Sequence, residues 1–203
     1  MLDASTENLE MSDFTLPIER LSEKSETFRF EATAGWWNGR EAVGEHENCH
    51  VETPFVFDLE ARTVGESILL EGALSGRVSL ECSRCGKRYP HALRDEFRLT
   101  LEPAEGREPS DPEGVRGLAE SGVCLGEDLE AGWFRGSTIR LDDYFGEVIA
   151  LSMPLQPLCK EDCAGICSHC GVDLAVTQCD CVDERIASPF AVLAKLKGET
   201  EDD

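Results

Sequence analysis

Several stretches of the chain alternate apolar and polar residues with a period of two, the signature of strands that bury one face. The first, from Phe28 to Ala32, places Phe28, Phe30 and Ala32 together and runs into Gly35, Trp36, Trp37, Asn38 and Gly39. That second stretch reads as a turn or loop whose two tryptophans belong to the core rather than to a ligand platform. Three further segments, Pro54 to Arg62, Glu66 to Leu74 and Arg77 to Cys82, are separated by Gly65 and by the pair Ser75 and Gly76, which predicts an antiparallel meander with short turns. In the third, Val78, Leu80 and Cys82 share one face and Arg77, Ser79 and Glu81 the other. Phe97, Leu99 and Leu101 resume the alternation, so Cys82 and Cys85 fall at a hairpin tip, where a bound metal would fix a turn otherwise costly in backbone entropy.

The period changes to that of a helix after Ile139. Asp142 or Asp143 is placed to cap a helix whose buried stripe is Phe145, Val148, Ile149 and Ser152, and Met153 followed by Pro154 ends it. A second short helix is punctuated by Ser188 as N-cap, Pro189 in the first turn, Phe190, Leu193 and Ala194 on one stripe, and Gly198 as stop. Between strands and helices, Glu102 to Gly132 is rich in Gly, Pro and acid and reads as a mobile linker. The expected organisation is α+β. A flexible N-terminus covers 1–13, and an antiparallel β domain with a zinc-knuckle hairpin covers 14–101. The acidic linker covers 102–132, a helix with a cysteine-rich zinc segment and C-terminal helix covers 133–198, and an acidic tail covers 199–203.

Cysteine spacing changes the picture most. Six of the ten cysteines lie between 159 and 181, as Cys159, Cys163, Cys167, Cys170, Cys179 and Cys181. An earlier pair, Cys82 and Cys85 followed by Gly86, repeats the spelling of Cys167 and Cys170 followed by Gly171. Two thiolates separated by two residues can grip one tetrahedral cation, and a glycine after the second permits the positive-φ turn that aims backbone N–H groups at sulfur. Eight thiolates are enough for two closed four-ligand zinc sites, with Cys49 and Cys124 left over. The preferred partition joins Cys82 and Cys85 to Cys159 and Cys163, and leaves Cys167, Cys170, Cys179 and Cys181 as a self-contained loop. The alternative pairs the two look-alike knuckles, Cys82, Cys85, Cys167 and Cys170, in one ribbon-like site. His46 and His50 beside Cys49 imitate a metal cluster but lack the paired spacing. Cys124, in the acidic stretch, is expected to be a free thiol.

Disulfides and thiol redox chemistry compete with zinc. The start of the chain, Met1 to Thr15, has neither a basic residue nor an apolar run of signal-peptide length, which places the protein in the cytoplasm, where thiols stay reduced. A redox C-x-x-C is usually a single pair beside a βαβ pattern, not several pairs among small residues. No run reaches the roughly 18 apolar residues that mark a membrane span.

The net charge is −22, with 41 acids against 19 Lys plus Arg, a sign that repels nucleic acid at long range and attracts basic proteins. Its distribution is uneven. Residues 77–98 hold six basic residues and three acids, a local +3 that leaves −25 for the rest. Arg84, Lys87, Arg88, His91 and Arg94 stand on or beside the first knuckle and are the candidate RNA contacts, the bland alternative being solvated charges that balance Glu81, Asp95 and Glu96. An enzyme is not indicated. All-cysteine sites are closed, and Ser-His-Asp, P-loop and dinucleotide signatures are absent.

Four motifs in order resemble one family: VSLECSRC at 78–85, IRLDDYFGEVIALSMPLQPLC at 139–159, CAGIC at 163–167 and SPFAVLAKLK at 188–197. They are similar to the YceD family, the large ribosomal RNA subunit accumulation proteins of bacteria and plastids, over roughly 50–197. The resemblance implies a role in making or maintaining large-subunit ribosomal RNA. Some relatives lack the C-terminal cysteines, which implies that the metal is structural. The expected function is therefore a non-enzymatic, zinc-stabilised ribosome-biogenesis factor that binds large-subunit ribosomal RNA or a ribosomal protein, with no small-molecule substrate and no membrane partner. The alternative is an acidic adaptor or chaperone for a basic ribosomal protein.

Overall fold

The computed structural model describes residues 14–40, 49–126 and 129–181. The sequence-predicted loose terminus, His46, the helix from Ser188 to Gly198 and the acidic tail lie outside the described residues. The chain divides into two compact units, one comprising Met1–Ser83 and Lys87–Cys159, the other Arg84–Gly86 and Lys160–Asp203. Residues 133–159 thus belong with the sheet, not with the cysteine-rich segment that follows them in sequence.

In the first unit a six-stranded sheet has the order β2-β3-β4-β5-β7-β6, made of β2 (Glu26–Ala32), β3 (His50–Val64), β4 (Ser67–Glu81), β5 (Arg88–Pro103), β6 (Val123–Leu125) and β7 (Ala131–Phe134). A separate pair joins β1 (Thr15–Pro17) to β8 (Thr138–Arg140). The run from β2 to β5 is antiparallel throughout, but the three-stranded meander expected over Pro54 to Cys82 is two long strands, β3 and β4, and β7 pairs with β5 in parallel, so the sheet is mixed. The turn expected at Ser75 and Gly76 is absent, because β4 continues through both. Gly76 instead serves packing: a Cβ there would lie 2.7 Å from Cδ1 of the Phe55 ring, so the missing side chain makes room for the phenyl group.

Alternation divides the sheet into two faces. Phe55, Phe57, Leu59 and Ala61 of β3, Leu70, Leu74 and Val78 of β4, and Leu93, Leu99 and Leu101 of β5 are buried. Against them packs α3 (Asp142–Ser152), which buries Tyr144, Phe145, Val148 and Ile149. The Phe145 ring stacks on Phe57 at 3.9 Å between centroids and meets Phe14, Phe30 and Phe97 at 5.5 to 6.0 Å. Neither aspartate caps α3, whose N-cap is Leu141 with no side-chain bond. Both stand in the first turn, where a carboxylate favours the positive end of the helix dipole, and Asp143 pairs with Arg40 at 3.3 Å. The expected tryptophan loop is a short helix, α1 (Ala34–Asn38), capped by the Thr33 hydroxyl, which accepts from the Trp36 N–H. Trp37 is core, at 2% exposure.

The segment expected to be a linker is ordered. Asp111 accepts from the Gly114 N–H at 2.6 Å and Pro112 opens α2 (Pro112–Glu120), so the acid and proline that suggest a linker are cap chemistry. Leu118, Ala104 and Cys124 form a small buried cluster against Trp133. Cys124 is thus a buried thiol of a strand, its pKa raised by burial and by Asp111.

Phe145→Ala should cost about 3 to 5 kcal/mol, since it empties the centre of the aromatic cluster, whereas Leu151→Ala, on the solvent side of the same helix at 69% exposure, should change stability by less than about 0.5 kcal/mol. Denaturant titration of the two variants measures the contrast, and equal losses would mean that α3 is not the lid of this core.

Candidate metal centre

Among its described residues the second unit buries almost nothing apolar. Its buried described positions are Cys163, Gly165 and Cys167, whereas Ile166 and Val176 are exposed at 51% and 74%. Backbone bonds shape it as a series of tight turns. Gly171 N–H donates to the Cys167 carbonyl at 2.9 Å, Cys167 N–H to the Val172 carbonyl at 2.8 Å, and Leu174 N–H to the Gly165 carbonyl at 3.0 Å. Gly171 has φ +72°, and Gly86 after the look-alike pair has φ +69°, so both knuckles use glycine where an L side chain would be strained.

These turns bring Cys167, Cys170, Cys179 and Cys181 together with every sulfur within 4.8 Å of the others. Sulfurs around a tetrahedral cation at a Zn–S distance of about 2.3 Å would be about 3.8 Å apart, so a small contraction suffices for the donor set to close on one ion. The group is thiol only, which suits zinc or another thiophilic cation and leaves no hard oxygen ligand. Backbone N–H groups of Cys170 and His169, with help from the Cys179 thiol, lower the Cys167 pKa to about 6; the His169 N–H lies 3.4 Å from its sulfur. The Cys181 thiol is pushed up to about 12, first by its hydrogen bond with Cys170. The Cys167 thiolate is therefore already favoured at neutral pH while those of Cys179 and Cys181 are disfavoured by their neighbours, a conflict that a divalent cation would relieve. None of the ten cysteines is in a disulfide.

The remaining candidate ligands fall two in each unit. In the first, Cys82 is buried at the end of β4 and its N–H donates to the Lys87 carbonyl at 2.9 Å. The Ser83 N–H donates to the Pro157 carbonyl at 2.8 Å, which carries the chain toward Cys159. The Tyr89 pKa is raised by burial and then by Cys82 and Cys159, so both sulfurs neighbour that ring. In the second unit, Arg84 beside Cys85 donates from its guanidinium to the carbonyls of Cys163 at 3.0 Å and Glu161 at 3.4 Å, and its own carbonyl accepts from the Ile166 N–H at 3.1 Å. Cys49 lies apart from these groups, its thiol raised by burial and opposed by Arg88.

The basic residues singled out in the sequence are divided. Arg84 does not project as a free cation, since its side chain holds two carbonyls. His91 alternates with Tyr89 and Leu93 toward the inner face of β5, while Arg88 and Arg94 are exposed on the outer face. Strand parity alone would have separated them. Arg77, omitted from the candidate contacts, shares that outer face.

The first unit is a mixed sheet covered by a helix, and the second is a turn-built segment gathered around thiols. Together they define an α+β protein with a candidate structural metal centre. Residues 70–197 match the family described as "Large ribosomal RNA subunit accumulation protein YceD", and the chain belongs to it. It is 27% identical over 146 residues to an uncharacterized protein of Mycobacterium tuberculosis, covering 71% of this chain and 63% of that one. It is 21% identical over 168 residues to the large ribosomal RNA subunit accumulation protein YCED homolog 1, chloroplastic, of Arabidopsis thaliana, covering 73% and 50%. With the Zea mays protein of the same name it is 24% identical over 161 residues, covering 72% and 53%. The chain thus spans between half and 63% of the length of these relatives. No solved structure matches it. No helix among the described residues is long and apolar enough to cross a membrane.

Because the described residues of the second unit, 84–86 and 160–181, bury no large apolar side chain, removing the metal should abolish the order of this segment. In hydrogen exchange of the metal-loaded chain, amides of 163–176 should be protected, and chelation should erase that protection while β3, β4 and β5 keep theirs. Protection unchanged after stripping would show that turns alone hold the segment. Acid should act like chelator, since each thiolate released takes up a proton: zinc should leave as pH falls, steeply, because several protons compete for one site.

Proposed function

We propose that the protein is a non-enzymatic factor that supports accumulation of large-subunit ribosomal RNA by binding that RNA in the cytoplasm, its second unit folded around zinc. The observation that carries this reading is membership of a family named for that role, across a match that includes both knuckles. Plant relatives bear the same name. Zinc fits the thiol-only donor set of Cys167, Cys170, Cys179 and Cys181. Cys82, Cys85, Cys159 and Cys163 are the proposed ligands of a second zinc, again four thiols and no oxygen. In each site the ion would serve as a structural cross-link, and every ligand position would be filled by the chain itself.

A second reading is favoured by the net charge of −22, which suits an acidic adaptor for a basic ribosomal protein. Both readings predict that depleting the protein lowers large-subunit ribosomal RNA relative to small-subunit RNA, measured from total cellular RNA; an unchanged ratio would remove the protein from this process. Binding separates them. The zinc-loaded full chain should retain a large-subunit RNA transcript, with affinity that falls as salt rises, whereas capture of basic ribosomal proteins without RNA would favour the adaptor. Elemental analysis should find two zinc ions per chain, and fewer than one would sink the zinc assignment.

A further inference from the structure

The outer face of β4 and β5 changes character along its length. At one end its cations are neutralised: Arg29 pairs with Asp58 at 2.8 Å, and Arg62 and Arg98 both approach Glu71 at 3.7 Å. Toward the other end stand Arg77, Arg88 and Arg94, all exposed, and none makes a salt bridge or side-chain hydrogen bond with any described residue. Arg116, on α2, is the one other described arginine in that condition. In a chain with 41 acids, three exposed arginines without a carboxylate partner mark one end of this face as cationic.

Register places them together. Arg77 is opposite Ala92, and Arg94 is opposite Ser75, two residues away from Arg77 on each strand, a diagonal neighbour within about 8 Å between Cα atoms. Arg88 is opposite Glu81 without an ion pair, and Glu96 lies two residues beyond Arg94. The positions between them on this face, Ser75, Ser79, Pro90 and Ala92, carry short side chains, so a polyanion could approach the sheet closely. No aromatic residue occupies the outer face of β4 or β5, which leaves no platform for stacking bases.

We propose that this end of the outer face, carried by Arg77, Arg88 and Arg94, is the surface that contacts the phosphate backbone of RNA. It deepens the RNA reading above and rests on it. Recognition would be of phosphate rather than sequence, because arginine forks match phosphate oxygens and nothing on the face reads a base. The acidic remainder of the chain would hold its other surfaces off the RNA and so orient the bound strand. The surface differs from the knuckle tip expected from sequence: it adds Arg77 and drops Arg84, whose guanidinium is engaged, Lys87, which stands in the turn before β5, and His91, which faces inward.

The test uses the zinc-loaded full chain and labelled 20-nucleotide homopolymers, poly(U) and poly(A), with affinity measured across a salt series. The triple variant Arg77→Gln, Arg88→Gln, Arg94→Gln should lower the slope of log affinity against log salt by about 2 units, at roughly 0.7 for each phosphate no longer neutralised, and do so for both homopolymers. The control Arg62→Gln, Arg98→Gln removes cations already paired to Glu71 and should change the slope by less than half as much. Phenylglyoxal labelling of the unsubstituted protein gives a second readout that needs no variant: RNA should protect Arg77, Arg88 and Arg94. If the unsubstituted chain binds RNA while the triple variant keeps its slope, or these arginines acquire no protection, the surface is wrong and the RNA reading stands. If the unsubstituted chain binds neither homopolymer, nor the large-subunit transcript, and captures a basic ribosomal protein, both fall.

Discussion

The stacking of Phe145 on Phe57, with 3.9 Å between ring centroids and 15° between planes, is the contact on which the first unit depends. Phe57 sits in the middle of β3, and Phe145 in the first turns of α3, so the stack fastens the helix to the centre of the sheet. Phe14, Phe30 and Phe97 meet the same ring from the residue before β1, from β2 and from β5. Ring pairs of this kind contribute about 0.5 to 1.5 kcal/mol each beyond area burial, and here they share one partner. Elements far apart in sequence are thereby tied to a single side chain, and the two faces of the sheet become unequal: one is closed by α3, the other left to solvent.

The second unit is built on the opposite principle. It buries cysteine and glycine where the first unit buries phenylalanine and leucine, and it exposes Ile166 and Val176. Hydrophobic burial among the described residues is small there against the entropy of ordering the chain, and sulfur bound to a cation, as proposed above, would supply the missing free energy. The Cys167 pKa near 6 shows how its turns already favour thiolate, with N–H groups of the following residues aimed at the sulfur. Cross-linking by metal is compatible with a chain rich in acid and poor in apolar residues, because it needs few residues and no core.

Charge completes the division of labour. Most arginines of the first unit are matched to carboxylates or carbonyls, as expected of a protein with a large acidic excess. Three of the four exceptions among the described residues lie on the outer face of β4 and β5, and the fourth, Arg116, is on α2. Charge and packing are therefore separated by strand parity: odd-numbered residues of β5 from Tyr89 to Leu101 turn mainly inward, and even-numbered ones carry the arginines.

Much of this was legible in the amino-acid order, because strand alternation, helix periodicity and cysteine spacing are local properties. The meander from β2 to β5, the burial of Phe145, Val148 and Ile149, and the two look-alike knuckles with positive-φ glycines all follow from residues a few positions apart. Where reading failed, a residue had two local meanings and a distant neighbour chose between them. Gly76 resembles a turn until Phe55 is seen to need the space a side chain would fill. Asp111 and Pro112 resemble a linker until Leu118 finds Ala104 and Cys124 to pack against, which turns the same residues into a helix start. Arg84 and Arg88 look equivalent in sequence, yet one is spent on the carbonyls of Glu161 and Cys163 and the other is not. Composition and period, which act within a turn or a strand, were determined by the sequence itself; the use of each glycine, proline and arginine was decided by contacts between residues as far apart as Arg40 and Asp143, 103 positions, which only the folded chain brings into range.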